Sequence, residues 1–135
     1  MELDSQGGKH MVLESSKTNR SEEQSNEEIE SSIQKMQRYE ETLQNIMLQK
    51  QQLILTKSEI EEAKKEVAKL GDEEKAYKLV GEVLIEKDKD NLINELDEEL
   101  KELDIKIKAY EKQEERIREH MKELQKRVVE GLKNK

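Results

Sequence analysis

A mainly α-helical chain, with two long helices laid antiparallel as a coiled coil and joined by one central β-hairpin, is the fold class the sequence predicts. Three observations carry it. Apolar residues recur at heptad spacing over two long segments. The eleven residues Tyr77 to Lys87 interrupt that period with β-branched and strand-tolerant side chains. The chain is 43% charged, with no Pro, Trp or Phe, so it cannot fill a globular core of ordinary depth. A composition this polar is either disordered or helical with a narrow apolar seam, and the period decides for helices.

Residues 1–21 are rich in Ser, Gly, Lys and Glu without an apolar period, and are expected to be a flexible polar tail. Within it, Gly7-Gly8-Lys9-His10-Met11 has the composition of a cloning junction, with Met11 as an alternative start. The folded part is then 22–135. A first helix is expected over 22–70. One of its heptad lanes runs Ile29, Met36, Leu43, Lys50, Lys57, Lys64, and the other Tyr39, Ile46, Leu53, Ile60, Val67. Ile33, Met47, Ile54 and Ala63 are expected to widen the seam. Gly71 stands where a left-handed cap would stop the helix.

The hairpin is expected over 76–87. Leu79, Val80, Val83, Leu84 and Ile85 flank Gly81-Glu82, which suits a two-residue turn with Gly first. Such a hairpin alone is marginal in water and leaves both outer edges unpaired, so joining to copies of itself or to relatives is its expected use. The second helix is expected over 89–132, with Asp88 as its N-cap. Its lanes are Ile93, Leu100, Ile107, Glu114, Met121, Val128 and Leu96, Leu103, Tyr110, Ile117, Leu124, in which Glu114 alone is not apolar. The helical pattern fades at Gly131. A register with Val67 near Ile93, Leu53 near Ile107 and Met36 near Leu124 brings the two seams together. The seam lysines 50, 57 and 64 then cover apolar surface with their stems and reach glutamates on the facing helix; a ligand-binding lane is the competing reading.

Formal net charge is −8, with acids and bases well mixed. Nucleic-acid binding wants a basic stripe and, for single strands, aromatic platforms; neither is present. No apolar run is long enough for a membrane span, and the absence of Cys fits a reducing, cytoplasmic setting. No phosphate-cradling loop or catalytic constellation is found, and no cofactor is implied. His120 with Glu123 could touch a metal, but a solvated helix surface is the simpler reading. What remains is apolar surface at the chain-terminal ends of the helices: Ile29, Ile33 and Met36, with Met121, Leu124, Val128, Val129 and Leu132. These residues make either ordinary seam packing with fraying or an adaptable, Met- and Leu-bearing sticky tip.

The order of long helix, Tyr77-Lys78-Leu79-Val80-Gly81-Glu82-Val83-Leu84-Ile85 hairpin and long helix resembles the β-type subunit of prefoldin, the hexameric cochaperone of archaea and eukaryotes. Leu48-Gln49-Lys50-Gln51 and the heptads of Lys106 to Gln125 support it. The resemblance covers about Glu27 to Leu132, and the long start before Ile29 departs from the family's usual short one. It implies a hexamer of two α-type and four β-type subunits, whose hairpins form a double β-barrel from which coiled coils project. Their tips would hold non-native polypeptide and pass it to a group II chaperonin without nucleotide hydrolysis, so no enzyme is expected. One hairpin per chain fits the β-type. Tip residues carried over by position are Ile29, Ile33, Met36, Leu124, Val128 and Leu132; hairpin residues are Tyr77, Leu79, Val80, Val83, Leu84 and Ile85. A coiled-coil scaffold or filament subunit without clients is the alternative, and two dissimilar denatured clients in a light-scattering assay separate the readings.

Overall fold

The computed structural model describes the backbone of residues 2–133 and the side chains of residues 22–133. The elements in order are α1 (Glu2–Ala68), β1 (Ala76–Val80), β2 (Val83–Lys87) and α2 (Lys89–Lys133). The helix is thus bounded ahead of the expected Glu22, and the polar tail expected over 1–21 lies outside the residues whose side chains are described. Two compact units are present, Leu43–Glu115 and Met1–Thr42 with Arg116–Lys135.

In the unit Leu43–Glu115, covered residues of α1 alternate at spacings of three and four: Leu43, Ile46, Lys50, Leu53, Lys57, Ile60, Lys64 and Val67. That alternation is the signature of a two-helix seam. The facing α2 contributes Leu96, Leu100, Leu103, Ile107, Tyr110 and Glu114. Ion pairs fix the register: Lys64 meets Asp97, Lys57 meets Asp104 at 2.7 Å and Lys50 meets Glu114 at 3.0 Å. They fall within one turn of the register that places Leu53 near Ile107. Met47, Ile54 and Ala63, expected to widen the seam, are instead exposed. With a single partner helix only the two lanes are covered, and flanking positions stay in solvent.

Lys50 and Glu114 explain each other. Glu114 is the one buried carboxylate among the described residues, and it faces the seam lysine Lys50, which donates to Oε2 at 3.3 Å. Oε1 sits within ion-pair distance of the same ammonium but accepts no hydrogen bond. Such a pair specifies register more than it stabilises, because desolvating both charges offsets their attraction.

At its end α1 tightens, with Lys69 and Leu70 N–H groups donating to the carbonyls of Glu66 and Val67 three residues back. The Leu70 carbonyl accepts from Lys89 Nζ at 2.7 Å, which ties the start of α2 to the end of α1. Gly71 does not adopt the expected left-handed cap: Gly81 is the one described glycine at positive φ. The lysine and the i−3 bonds satisfy carbonyls that a left-handed residue would otherwise serve. On the other side, the Leu92 N–H donates to the Asp88 carbonyl at 2.8 Å, the first bond of α2 and the one expected when Asp88 caps it.

The hairpin turns at Gly81-Glu82, with Val80 paired to Val83 and antiparallel register continuing to Ala76 opposite Lys87. Gly81 has φ 61° and Glu82 is not at positive φ, which is the type II′ pattern. At the hairpin's root, Ala76, Leu92 and Leu96 form the buried cluster, with Ile60, Val67 and Leu70 packed against it. Leu92, only 4% exposed, lies off the heptad lanes. Its burial comes from Ala76, which the strand lays over it.

Candidate functional site

The hairpin has two unlike faces, dictated by register. Directly opposed residues share a face, so Ala76, Lys78, Val80, Val83, Ile85 and Lys87 lie on one side and Tyr77, Leu79, Leu84 and Glu86 on the other. The first face is anchored on α2: Lys78 Nζ donates to Glu95 Oε2 at 3.3 Å and Glu99 Oε1 at 3.2 Å, and Lys87 Nζ to Glu95 Oε1 at 2.9 Å. The second carries Leu79 and Leu84 side by side, 64% and 66% exposed, beside an exposed Tyr77. Val80, Val83 and Ile85 are also exposed, so all six hairpin residues named from the sequence present apolar surface to solvent. Six such residues on a two-stranded ribbon with free edges make a surface suited to further strands and side chains.

The charged anchor titrates. Hydrogen bonds from Lys87 and then Lys78 hold the Glu95 carboxyl below its ordinary 4.5, while bonds to Glu99 and then Glu95 raise the Lys78 ammonium above 10.5. The depressed carboxylate contributes docking strength above 4.5 that is lost as pH falls through its folded value. The raised ammonium contributes below 10.5 and is lost as pH rises through its own. Hairpin amides are therefore expected to exchange most slowly near neutrality and faster in both acid and strong alkali. Lys78→Gln should shrink the alkaline limb, since the Lys87–Glu95 bond remains. Hydrogen exchange of residues 76–87 across pH, corrected for intrinsic rates, checks this; a flat protection profile would contradict the anchor.

In the other unit, α1 from Glu22 to Thr42 lies with α2 from Arg116 to Lys133. Ile29, Met36 and Val128 are half-buried and Leu124 is buried at 7%, whereas Ile33 and Leu132 are exposed at 41% and 57%. Of the six tip residues named from the sequence, two therefore offer free apolar surface. Leu124 packs inward because it sits on a seam lane. Ile33, expected to widen the seam, lies beside it. Val129, 44% exposed, is a third free apolar side chain at this end. Gly131 lies within α2, inside the expected 89–132: a Cβ there would meet the Ile29 side chain at 3.1 Å, so glycine permits this close approach. An open groove lies alongside, lined by Ser25, Ile29, Ser32, Lys35, Arg127 and Gly131. His120 stacks on Tyr39 with ring centroids 5.7 Å apart and planes 8° from parallel, a packing role that its sequence position did not signal.

No helix among the described residues is long and apolar enough to cross a membrane. Comparison with known proteins bears on the family and the fold. The prefoldin subunit family model matches residues 30–135. The prefoldin β subunit of Methanothrix thermoacetophila is 35% identical over 105 residues, covering 78% of this chain and 88% of that protein. That of Archaeoglobus fulgidus is 31% identical over 101 residues, covering 75% and 87%. The crystal structure of the prefoldin β subunit from Thermococcus strain KS-1 superposes with a TM-score of 0.72 at 30% identity, over 77% of this chain and 91% of that one.

Proposed function

The chain belongs to the prefoldin family as a β-type subunit, and from that premise we propose that it is an ATP-independent holdase subunit. Its hairpin joins several subunits, and its terminal helix ends take up non-native polypeptide. Prefoldin is a family of chaperone subunits, and β-type subunits assemble with other prefoldin subunits. The finer reading is a hexamer with α-type partners that hands its client to a group II chaperonin in the cytoplasm. The observation that carries it is the outward apolar face of the hairpin in a chain of this family. Leu79 and Leu84 lie at the ribbon's centre, where a lone chain leaves them in water. Burying them between subunits gains roughly 1.5–3 kcal/mol apiece. Weak tips on one platform then act together, because tethering raises the effective concentration of the second and third contacts.

Ile33, Val129 and Leu132 are the terminal side chains free to meet a client. Each is partly exposed, so client contact stabilises by about 1 kcal/mol per side chain. The triple change Ile33→Ser, Val129→Ser, Leu132→Ser is expected to weaken client capture on the order of a hundredfold per tip. Its check is light scattering with two dissimilar denatured clients, beside a mass measurement showing that the assembly persists. Full suppression of aggregation by the triple variant would contradict the reading. A chain that suppresses neither client in its unaltered form would instead be the scaffold.

A further inference from the structure

We propose that the outer face of α1 over residues 43–58 is a contact surface for a second copy of this chain, α1 against α1 about a twofold axis at Gln51. In a sequence with 33 acidic residues, 43–58 contains none, within the longest acid-free stretch of the chain. Its two lysines do not reach the outer face: Lys50 is turned to Glu114 and Lys57 to Asp104. Gln49 is likewise occupied, accepting the Tyr110 hydroxyl at 2.6 Å. What α1 turns outward is uncharged.

That face has its own pattern. Met47, Leu48, Ile54 and Leu55 are exposed, the two leucines at 63% and 61%. With Gln51 they fall at i, i+1, i+4, i+7 and i+8, one stripe of a helix surface. Gln44 and Ser58, each seven residues from Gln51, extend it on either side. The stripe reads the same in both directions about Gln51: Met47 answers Leu55, Leu48 answers Ile54, Gln44 answers Ser58. A surface with that symmetry is what an isologous twofold contact requires, since each residue must meet its counterpart's partner. At the axis Gln51 meets Gln51, and an amide is both donor and acceptor, so the pair can bond to itself.

Charge selects this occupant. Two chains of formal charge −8 repel when their mixed acidic surfaces meet; over 43–58 no like charges are opposed, whereas the same twofold sets Glu40 opposite Glu62 and Glu41 opposite Glu61, which confines the contact to this stretch. Four apolar side chains per copy fall well short of the ~20–30 residues a side of a stable interface. The contact is therefore weak and concentration-dependent, and it links chains or assemblies side by side.

The chain has no cysteine, so Gln51→Cys places one thiol at the proposed axis. Under mild oxidation across a concentration series, this variant is expected to form a disulfide-linked dimer at least tenfold faster than Gln113→Cys, an exposed control on α2. Adding Leu48→Glu with Leu55→Glu should return it to the control rate; both positions are exposed, and circular dichroism verifies retained helix. The excess over the control is expected to persist with Leu84→Asp, which separates this surface from the hairpin. Cross-linking of Gln51→Cys at the control rate, or unaffected by the two glutamates, overturns the proposal. So does a control-rate Gln51→Cys in a chain whose client protection falls with those glutamates, for then the stripe holds unfolded polypeptide.

Discussion

Leu84→Asp is expected to break the assembly into smaller species while leaving helix content unchanged. Leu84 is 66% exposed in the single chain, opposite Leu79 on the hairpin face turned from α2. In the lone subunit the substitution therefore costs no more than about 0.5 kcal/mol. In the assembly proposed above, the same position lies in an apolar sheet between subunits. There an unpaired carboxylate costs several kcal/mol per copy, on the order of a thousandfold in each contact. Sedimentation beside far-ultraviolet circular dichroism separates the two effects. Val83→Asp, on the anchored face but 60% exposed, is expected to act in the same direction. Full-size particles with both variants would remove the hairpin from assembly.

Leu92→Ala is expected to destabilise the chain by about 3 kcal/mol, the middle of the 2–5 kcal/mol range for emptying a buried leucine site. Leu92 is the most covered apolar side chain among the described residues, and it supports Ala76 at the hairpin's root with Leu96, Ile60, Val67 and Leu70 around it. The loss therefore falls where the ribbon meets the helices. Denaturant unfolding at fixed protein concentration checks it, with Leu55→Ala as a surface control expected within about 0.5 kcal/mol. Equal midpoints for the two variants would mean that the root cluster holds nothing together.

The seam and the reversal were legible in the sequence because both rest on local, periodic rules. Heptad lanes through Leu43, Ile46, Leu53, Ile60 and Val67 reappear as the covered residues of α1. Gly81-Glu82 turns as a Gly-first dipeptide should, and Glu114, out of place in an apolar lane, is answered by Lys50. What was not legible depends on which neighbours are missing or arrive from elsewhere in the chain. Met47 and Ile54 have the spacing of seam residues, yet no third helix covers them. Leu92 is off the lanes and is buried only because a strand folds over it. Gly71 lacks its expected left-handed turn because Lys89, nineteen residues after Leu70, reaches back to the Leu70 carbonyl. At the terminal ends, spacing alone could not separate Leu124, which packs inward, from Ile33 and Leu132, which do not.

Six exposed apolar residues on the central ribbon are expected to leave this chain unfinished until other subunits cover them. Sedimentation equilibrium of the unaltered chain at micromolar concentration, alone and mixed with an α-type prefoldin subunit, reads this out. The expected result is a particle of several chains, with a mixed hexamer once the α-type subunit is present. A stable single-chain species under both conditions, its hairpin still solvent-exposed, would contradict it.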